Sequence, residues 1–225
     1  MLKLLREKIG GLGRKHRYVA YVDGIITRMH KDRRVMNTLM GIMKEESSLW
    51  KPSELFMVYS LTAKQRNIKG DFAEIGVYNG TSAKVICEWK GDRPLHLFDT
   101  FEGMPVRRVI DEIRYWKGRY RYDTRYVQKR LAKYPNVFLY KGHFPQTADP
   151  VLNKKFALAH FDGDLYQSAV DFLNVFYSRM QKGGVMLFHD YPCSRGLKKA
   201  VDEFFAKMPE KIIELPMNQC MVVKE

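Results

Sequence analysis

The sequence lacks the long apolar runs, the cysteine pairs and the clusters of glycine or proline that would place it in a special class of protein. Its 225 residues include only 3 Cys, none in a CxxC spacing, and 16 Gly and 9 Pro that are scattered. No apolar run approaches the roughly 18 residues that a membrane-spanning helix needs. Basic residues interrupt the first positions before an apolar segment forms, so a secretory signal is not expected. We therefore predict a globular cytoplasmic protein without a transmembrane helix, a disulfide framework or a zinc knuckle.

Acidic residues are also few relative to basic ones. The chain has 39 Lys and Arg against 25 Asp and Glu, which gives a formal net charge of +14. Such a charge favours contact with phosphates, nucleic acids or an anionic membrane surface and carries no information about the fold. Basic residues are densest in residues 1 to about 35, where a helix face is predicted for Leu2, Leu4, Leu5 and Ile9 that would end at Gly10, Gly11 and Gly13. This stretch is interpreted either as a solvated or packed arm or as an amphipathic helix that binds an anionic surface.

From Gly70 onward, short apolar strands alternate with helical stretches, which is typical of βαβ units and a parallel sheet. Strands are predicted at about 72–76, 95–99, 137–140, 156–161, 184–188, 211–215 and 219–223, and helices at about 53–64, 80–90, 124–133, 166–181 and 196–207. Only Pro216 to Asn218 separate the last two strands, so these should form an antiparallel hairpin. The predicted fold is α/β and Rossmann-like: a seven-stranded, mostly parallel sheet with an antiparallel C-terminal hairpin and additional N-terminal helices. This arrangement is typical of class I methyltransferases.

The length of the chain favours one main domain with accessory elements. We predict a basic N-terminal helical arm at residues 1–52 and a catalytic domain at residues 53–225.

A glycine turn follows the first predicted strand, within the stretch from Asp71 to Ser82. Gly76 and Gly80 would let a ligand approach the backbone closely, Glu74 would present a carboxylate, and the next helix would add free amides. No third glycine stands at dinucleotide spacing and no GK[ST] follows, so neither an NAD fingerprint nor a P-loop is present. A packing turn without a ligand is the alternative interpretation at this point.

Acidic and imidazole side chains follow three other predicted strands. Asp99 ends the second strand, where an acid can accept hydrogen bonds from ribose hydroxyls. Asp162 and Asp164 follow the fourth strand, and His189 and Asp190 follow the fifth. Because ligands of open α/β sheets bind at the carboxyl ends of the strands, these groups should face one cleft.

The sequence resembles the macrocin O-methyltransferase family, whose members methylate sugar hydroxyls of natural products with S-adenosylmethionine. The motifs that carry the resemblance, across about residues 53 to 224, are EIGVYNGTSA, FDTFEGMP, FDGDLYQSA, KGGVML, and HDY followed by RGLKKAVDEFF. The resemblance implies an S-adenosylmethionine-dependent O-methyltransferase that acts on a sugar, a glycosylated metabolite or a glycan. The implied cofactor-binding residues are Glu74, Gly76, Tyr78, Gly80, Thr81, Ser82, Asp99, Thr100 and Asp162.

The same resemblance implies the residues of the reacting centre. In the family, the aspartate matching Asp162 and two consecutive aspartates after the fifth strand bind a divalent cation, usually magnesium, and the aspartate matching Asp164 is the proposed general base. The implied catalytic residues are therefore Asp164, Asp162 and His189, and the implied ligands of a magnesium or manganese ion are Asp162, His189 and Asp190. For Asp164 alone, a role as N-cap of the following helix is an alternative.

His189 departs from the family pattern, because it stands where the first of the two consecutive aspartates is expected. Imidazole is a poor ligand for magnesium and suits zinc, manganese or iron. Three roles stay open for His189: a ligand of a softer metal, a general base or substrate contact without metal, and a hydrogen-bonded structural residue.

A basic-aromatic segment, residues 105 to 126, follows the second predicted strand. It could close over the cleft and bind phosphate or stack on a sugar or base, or it could be a solvated helix with a partly buried aromatic face. Its Arg and Lys residues are Arg107, Arg108, Arg114, Lys117, Arg119, Arg121 and Arg125, and its aromatic residues are Tyr115, Trp116, Tyr120, Tyr122 and Tyr126.

The expected partner is a small-molecule sugar or glycan acceptor. A further hypothesis is a homodimer through the N-terminal arm. Another is contact of the basic N-terminus with an anionic membrane surface, which would make the protein peripheral to the membrane.

Two other functions are alternatives to methyl transfer. A nucleic-acid-binding protein or RNA methyltransferase is favoured by the charge, but the sequence carries no motif for it. A non-catalytic relative that keeps only the cofactor fold is favoured by His189.

Overall fold

The computed structural model of the chain describes residues 12–46 and 48–225, so the helix face predicted for Leu2 to Ile9 lies outside the described residues. The chain forms two compact units, Met1–Met57 and Val58–Glu225. The division falls inside helix α3 (Pro52–Gln65), whereas the predicted domain boundary precedes this helix.

The first unit contains helix α1 (Leu12–His30), helix α2 (Arg33–Lys44) and the start of α3. Gly13, predicted to end a helix, lies within α1. Helix α2 begins where it does because the Asp32 carboxylate accepts hydrogen bonds from the backbone amides of Arg34 and Val35, at 2.8 and 3.0 Å. Its buried side chains recur at every third position, Met36, Leu39 and Ile42, and give it one apolar face.

The second unit is built on a seven-stranded sheet with the strand order β3-β2-β1-β4-β5-β7-β6. Strands β1 to β5 pair in parallel, and β7 pairs antiparallel with β5 and β6, so the predicted topology and hairpin are confirmed. The strands are β1 (Asp71–Ile75), β2 (Leu95–Asp99), β3 (Val137–Lys141), β4 (Phe156–Phe161), β5 (Met180–His189), β6 (Ile213–Glu214) and β7 (Gln219–Val223).

Helices connect the parallel strands, as the sequence predicts. They are α4 (Thr81–Trp89), α5 (Thr124–Leu131), α6 (Tyr166–Phe176) and α7 (Arg195–Phe205), with two 3₁₀ turns at Asp149–Val151 and Tyr177–Arg179. The helix predicted over 166–181 was too long, because β5 already begins at Met180. Gly183 adopts a left-handed φ of 77° and the β4–β5 register shifts there, an irregularity that apolar periodicity does not reveal.

Buried aromatic side chains fix the sheet against α6 and α7. Strand β4 is buried along its whole length, as is usual for a central parallel strand that is covered on both faces. The rings of Phe156 and Phe176 lie 4.9 Å apart and those of Phe172 and Phe188 lie 5.6 Å apart. This packing places the carboxyl ends of β1, β2, β4 and β5 at one edge of the sheet. Among the described residues, no helix is both long enough and apolar enough to cross a membrane.

Candidate active site

The glycine turn after β1 brings the chain into contact with the end of β4. Gly76 and Gly80 have left-handed φ values of 86° and 77°, and Tyr78 between them has a φ of 48°. A Cβ atom at Gly76 would lie 2.1 Å from the carbonyl oxygen of Asp162. Only glycine therefore allows this approach, which joins the predicted cofactor turn directly to the predicted reacting centre.

Asp99, at the end of β2, holds the glycine turn in place. Its Oδ2 accepts hydrogen bonds from the backbone amides of Val77 and Tyr78, both at 2.8 Å, and its Oδ1 accepts one from Phe101 at 2.6 Å. Burial raises the pKa of Asp99, while these three hydrogen bonds oppose the shift. The carboxylate thus supports the backbone of the turn, and its contact with a ribose stays a prediction.

Glu74 lies inside the core, with none of its surface exposed. Its Oε1 accepts a hydrogen bond from the Ser82 hydroxyl and lies 3.3 Å from Nδ1 of His160. Glu74 therefore fixes Ser82 at the start of α4 through Oε1, whereas its Oε2 is buried with no hydrogen-bond partner among the described residues. A direct contact between Glu74 and a cofactor stays a prediction.

Two residues outside the predicted site shape the start of α4. The Asn79 side chain accepts hydrogen bonds from the amide and the hydroxyl of Thr81, at 3.2 and 2.8 Å. Arg130, from α5, donates to the backbone carbonyl of Asn79 at 2.8 Å. These contacts order the amino end of α4, where unsatisfied backbone amides and the helix dipole favour an anionic group.

A cavity lies beyond the carboxyl ends of β2 and β3. Thr100 shapes its border, because its hydroxyl donates to the carbonyl of Gly103 at 2.8 Å and accepts from the amide of Glu102 at 3.2 Å. The cavity volume of 490 Å³ lies within the range of about 300–1,000 Å³ that is usual for small-molecule sites. Its lining residues are Phe101, Glu102, Arg121, Tyr122, Asp123, Thr124 and Lys141.

The structure brings the predicted reacting residues together. Nδ1 of His189 lies 3.1 Å from Oδ1 of Asp162 and 3.8 Å from Oδ1 of Asp190. Asp164 and Asp190 both have left-handed backbones, with φ values of 58° and 59°. Left-handed residues other than glycine cluster at functional sites, because the surrounding structure must hold them there.

Asp164 is the most buried carboxylate of this cluster, with 6% of its surface exposed. The Ser194 hydroxyl donates to its Oδ1 at 3.2 Å. Burial raises the pKa of Asp164 well above its ordinary value, and the nearby charges of Asp190 and Asp162 raise it further, while a hydrogen bond with Tyr115 and the proximity of His189 oppose the shift. A carboxylate with a raised pKa is a stronger base than an exposed one.

The helix after Asp164 is capped by a different aspartate. Oδ1 of Asp111, in the basic-aromatic segment, accepts from the amide of Tyr166 at 2.9 Å, and Oδ2 accepts from the amide of Arg108 at 2.7 Å. Space for this carboxylate exists because residue 196 is glycine: a Cβ there would lie 1.9 Å from Oδ1 of Asp111. Asp111 therefore performs at α6 the capping role considered for Asp164.

The basic-aromatic segment lies against the glycine turn and is irregular up to α5. Most of it forms a loop closed next to its first residue, because the amide of Met104 donates to the carbonyl of Arg119 and the amide of Gly118 donates to the carbonyl of Met104. The ring of Tyr78 meets those of Tyr120 and Tyr122 edge to face, at 5.7 and 5.1 Å. The interpretation of this segment as a solvated helix is therefore wrong, and its position agrees with a cover over the cleft.

Sequence reasoning missed several polar residues around the cluster. The Tyr115 hydroxyl is hydrogen-bonded to Ser194, which in turn donates to Asp164. Gln219 pairs with His189 in the β5–β7 register and is fully buried. Among the described residues, no hydrogen-bond partner is found for the side-chain Nε2 and Oε1 atoms of Gln219. Ser194 follows the HDY motif closely and could have been noticed. Tyr115 was predicted only as part of the basic-aromatic segment, and no local signal marks its contact with Ser194 or the position of Gln219.

The resemblance implies a metal site at Asp162, His189 and Asp190. Within residues 12–46 and 48–225, no three His, Cys, Asp or Glu side chains stand where they could hold a metal ion together. The His189 imidazole instead makes its own contact with the Asp162 carboxylate. Metal binding by Asp162, His189 and Asp190 therefore stays a prediction.

The sheet order, the antiparallel hairpin and the glycine turn at the edge of the sheet define a class I methyltransferase fold. The sequence profile of the macrocin-O-methyltransferase (TylF) family matches residues 57–222. The chain belongs to this family.

Two curated relatives come from Streptomyces. Demethyldecarbamoylnovobiocin O-methyltransferase of Streptomyces niveus is 28% identical over 160 residues, which cover 63% of this chain and 60% of the relative. The 8-demethyl-8-(2,3-dimethoxy-alpha-L-rhamnosyl)-tetracenomycin-C 4'-O-methyltransferase of Streptomyces olivaceus is 29% identical over 140 residues, 55% of this chain and 54% of the relative. The matches thus span less than two thirds of either relative.

Solved structures share the fold. The O-methyltransferase NovP superposes with a TM-score of 0.70 at 22% sequence identity, and the match covers 79% of this chain and 81% of the NovP chain. The calicheamicin methyltransferase CalS11 superposes with a TM-score of 0.71 at 17% sequence identity, and the match covers 97% of this chain and 96% of the CalS11 chain.

Proposed function

We propose that this protein is an S-adenosylmethionine-dependent O-methyltransferase that methylates a hydroxyl of a sugar, a glycosylated metabolite or a glycan. The observation that carries the proposal is the contact between Gly76 and Asp162, which places a cofactor-type glycine turn directly beside a cluster of carboxylates. Methyl transfer needs this proximity, because donor carbon and acceptor oxygen must meet in line. The curated relatives are O-methyltransferases by name, and one carries a rhamnosyl group in the name of its substrate.

The residues of the glycine turn fit the cofactor. Gly76 and Gly80 leave room for close approach to the backbone, and the amino end of α4 offers amides to a carboxylate. Tyr78 and Thr81 would border the same space, and Asp99 keeps the turn in its shape. S-adenosylmethionine, when bound, supplies a methyl group on a positively charged sulfur.

Asp164 acts as the general base in this proposal. It takes the proton of the acceptor hydroxyl as the oxygen–carbon bond forms and the carbon–sulfur bond breaks, so that the charge on sulfur is neutralised. Its raised pKa suits proton transfer better than that of an exposed aspartate. Ser194 orients the carboxylate from one side, and the basic-aromatic segment limits access of water.

Asp162 and His189 orient the acceptor in this proposal. The hydrogen bond between them fixes the imidazole, while the Asp162 backbone contacts the glycine turn. The residues of this mechanism belong to the protein itself, and a metal ion at Asp162, His189 and Asp190 is a separate prediction.

The experiment that tests the proposal measures S-adenosylmethionine binding by calorimetry and then the transfer of labelled methyl groups to a panel of glycosides and nucleotide-linked or lipid-linked sugars. We expect micromolar binding and transfer to at least one panel member. Binding without transfer to any glycan would favour a non-catalytic relative, and transfer to RNA instead would favour an RNA methyltransferase. Absence of cofactor binding by the folded protein would refute the proposal.

The proposal extends to partners and location. We also propose a cytoplasmic location and, from the basic charge of the N-terminus, contact with an anionic membrane surface. A homodimer through the N-terminal arm is a further proposal. Support within the first unit comes from exposed apolar side chains on α1, among them Tyr21, Ile26 and Met29. Sedimentation equilibrium tests the dimer, and fractionation of cells tests the location.

A further inference from the structure

Exposed apolar side chains are concentrated in one short part of the basic-aromatic segment. Within residues 58–225, the four most exposed large apolar side chains are Val106, Val109, Ile113 and Trp116, at 73%, 97%, 80% and 59%. The next most exposed, Leu152, reaches only 45%. Single exposed apolar residues are ordinary, but four within eleven positions indicate a contact surface.

The same stretch is strongly basic at its surface. Among the described residues, none of Arg107, Arg108, Arg114 and Lys117 lies within ion-pair distance of a carboxylate, because the two acids of the stretch contact other groups. Asp111 is buried and caps α6, and Glu112 accepts a hydrogen bond from the amide of Arg195. The surface therefore combines exposed apolar side chains with a net positive charge, in which the charge of Arg114 interacts with those of two nearby carboxylates, Asp190 and Glu112.

The stretch is held firmly from within. Asp111 and Tyr115 are 2% and 1% exposed and anchor it to α6 and to Ser194. Val109 and Ile113 lie two positions before and after the Asp111 anchor, and both side chains are largely exposed. A contact surface that is already ordered loses little entropy when it binds.

We propose that this stretch, residues 106 to 117, is a surface that docks on an anionic lipid bilayer. Aliphatic and tryptophan side chains enter the headgroup region while arginine and lysine meet the anionic headgroups, which is the chemistry of interfacial membrane contacts. A second copy of this stretch is a poor occupant, since like charges would face each other. A nucleic acid is also a poor occupant, because its phosphate backbone provides no apolar surface against which the side chains of Val109 and Ile113 could be buried.

The test is co-sedimentation of the full chain with lipid vesicles, and it needs no methyl transfer, so its result is independent of the proposed function. Phosphatidylcholine vesicles with about 30 mol% phosphatidylglycerol should bind the protein, and binding should weaken as salt rises from about 0.1 M to about 0.5 M. Vesicles of phosphatidylcholine alone should bind it at least about tenfold more weakly. Equal binding to both vesicle types, or no binding to either, would overturn the proposal.

The double variant Val109→Ser/Ile113→Ser localises the contact without changing charge. We expect the partition coefficient on anionic vesicles to fall by about tenfold. The matched control is Leu152→Ser/Ile213→Ser, which removes exposed apolar side chains elsewhere on the second unit and should leave partitioning unchanged. Unchanged binding in the 109/113 variant would assign the contact to another part of the chain, such as the N-terminal arm, and would refute this surface.

A spectroscopic measurement gives an independent readout. Trp116 fluorescence should shift to shorter wavelength when anionic vesicles are added, because its exposed ring leaves water. The shift should disappear in Trp116→Phe, since the other two tryptophans, Trp50 and Trp89, are buried or half-buried. A shift that persists in this variant would mean that residue 116 does not report on the lipid, contrary to the proposal.

Discussion

The glycine turn and the carboxylate cluster adjoin at Gly76 and Asp162, yet they are built on opposite principles. In the turn, burial raises the pKa of Asp99, but hydrogen bonds from three backbone amides to its carboxylate oppose the shift. In the cluster, burial raises the pKa of Asp164 well above its ordinary value, and the nearby charges of Asp190 and Asp162 raise it further. The first region is arranged for fixed shape and the second for reactivity.

The difference shows how one edge of a sheet can carry both a rigid ligand-binding turn and a reactive carboxylate cluster. Backbone amides and glycines provide a surface that changes little when a ligand binds. Crowded carboxylates are costly for stability, and the strained backbones of Asp164 and Asp190 add to that cost. Such local cost is typical of sites where proton transfer takes place.

The largest effect is expected in the cluster from Asp164→Asn. An amide cannot accept the proton, so turnover should fall about a thousandfold, within the range of about 100- to 10,000-fold for loss of a general base. Affinity for S-adenosylmethionine, measured by calorimetry, should change less than about threefold. Asp149→Asn, an exposed aspartate in a 3₁₀ turn, is the control. Near-normal turnover in Asp164→Asn would show that another group is the base.

The same variant should also separate reactivity from stability. The folded-state pKa of Asp164 lies above its unfolded value, so the folded protein holds the proton more tightly and loses stability as pH rises through the interval between the two values. Asp164→Asn should therefore be more stable than the parent in thermal melts at neutral pH and no more stable near pH 3. An equal difference at both pH values would contradict the raised pKa.

In the glycine turn, Gly76→Ala should be the most damaging change. The added Cβ would collide with the Asp162 carbonyl at 2.1 Å and would sit at a φ of 86°, so a loss of about 2–4 kcal/mol of unfolding free energy is expected in denaturant titrations. Gly91→Ala is the matched control, because Gly91 also has a left-handed φ, of 61°, but no atom lies within 4 Å of its added Cβ. It should lose only about 1 kcal/mol. Similar losses in both variants would mean that the backbone angle, and not the contact with β4, matters at Gly76.

A smaller effect is expected from Asp99→Ala, which removes the acceptor of three amides. The turn would lose its fixed shape, and affinity for S-adenosylmethionine should weaken by about tenfold, which corresponds to about 1.4 kcal/mol. Asp92→Ala is the control, because this exposed acid precedes β2 at the opposite end of the strand. Unchanged affinity in a folded Asp99→Ala variant would remove Asp99 from the cofactor site.

The two regions were not equally predictable from the sequence. The glycine turn is local, so its residues are neighbours in the chain and the strand-turn-helix pattern reveals them. The carboxylates of the cluster were placed at one edge by the general rule for parallel sheets, without their distances. The contacts that surround Asp164 were invisible, because Asp111 caps α6 from 55 residues away and Tyr115 meets Ser194 from 79 residues away. No apolar period or capping motif encodes such pairs, and only the folded chain brings them together.

His189→Asp, the last and smallest change, tests whether the cluster is set up for a cation. In the parent, the hydrogen bond between His189 and Asp162 takes up the space between the side chains, so chelator treatment should change turnover by less than about twofold. The variant restores the carboxylate of the family pattern and adds negative charge, so magnesium should stimulate it by about fivefold if Asp162 and Asp190 are arranged as ligands. His143→Asp, an exposed imidazole after β3, controls for the added charge. Loss of parent activity with chelator, restored by manganese better than by magnesium, would instead establish Asp162, His189 and Asp190 as ligands of a softer metal.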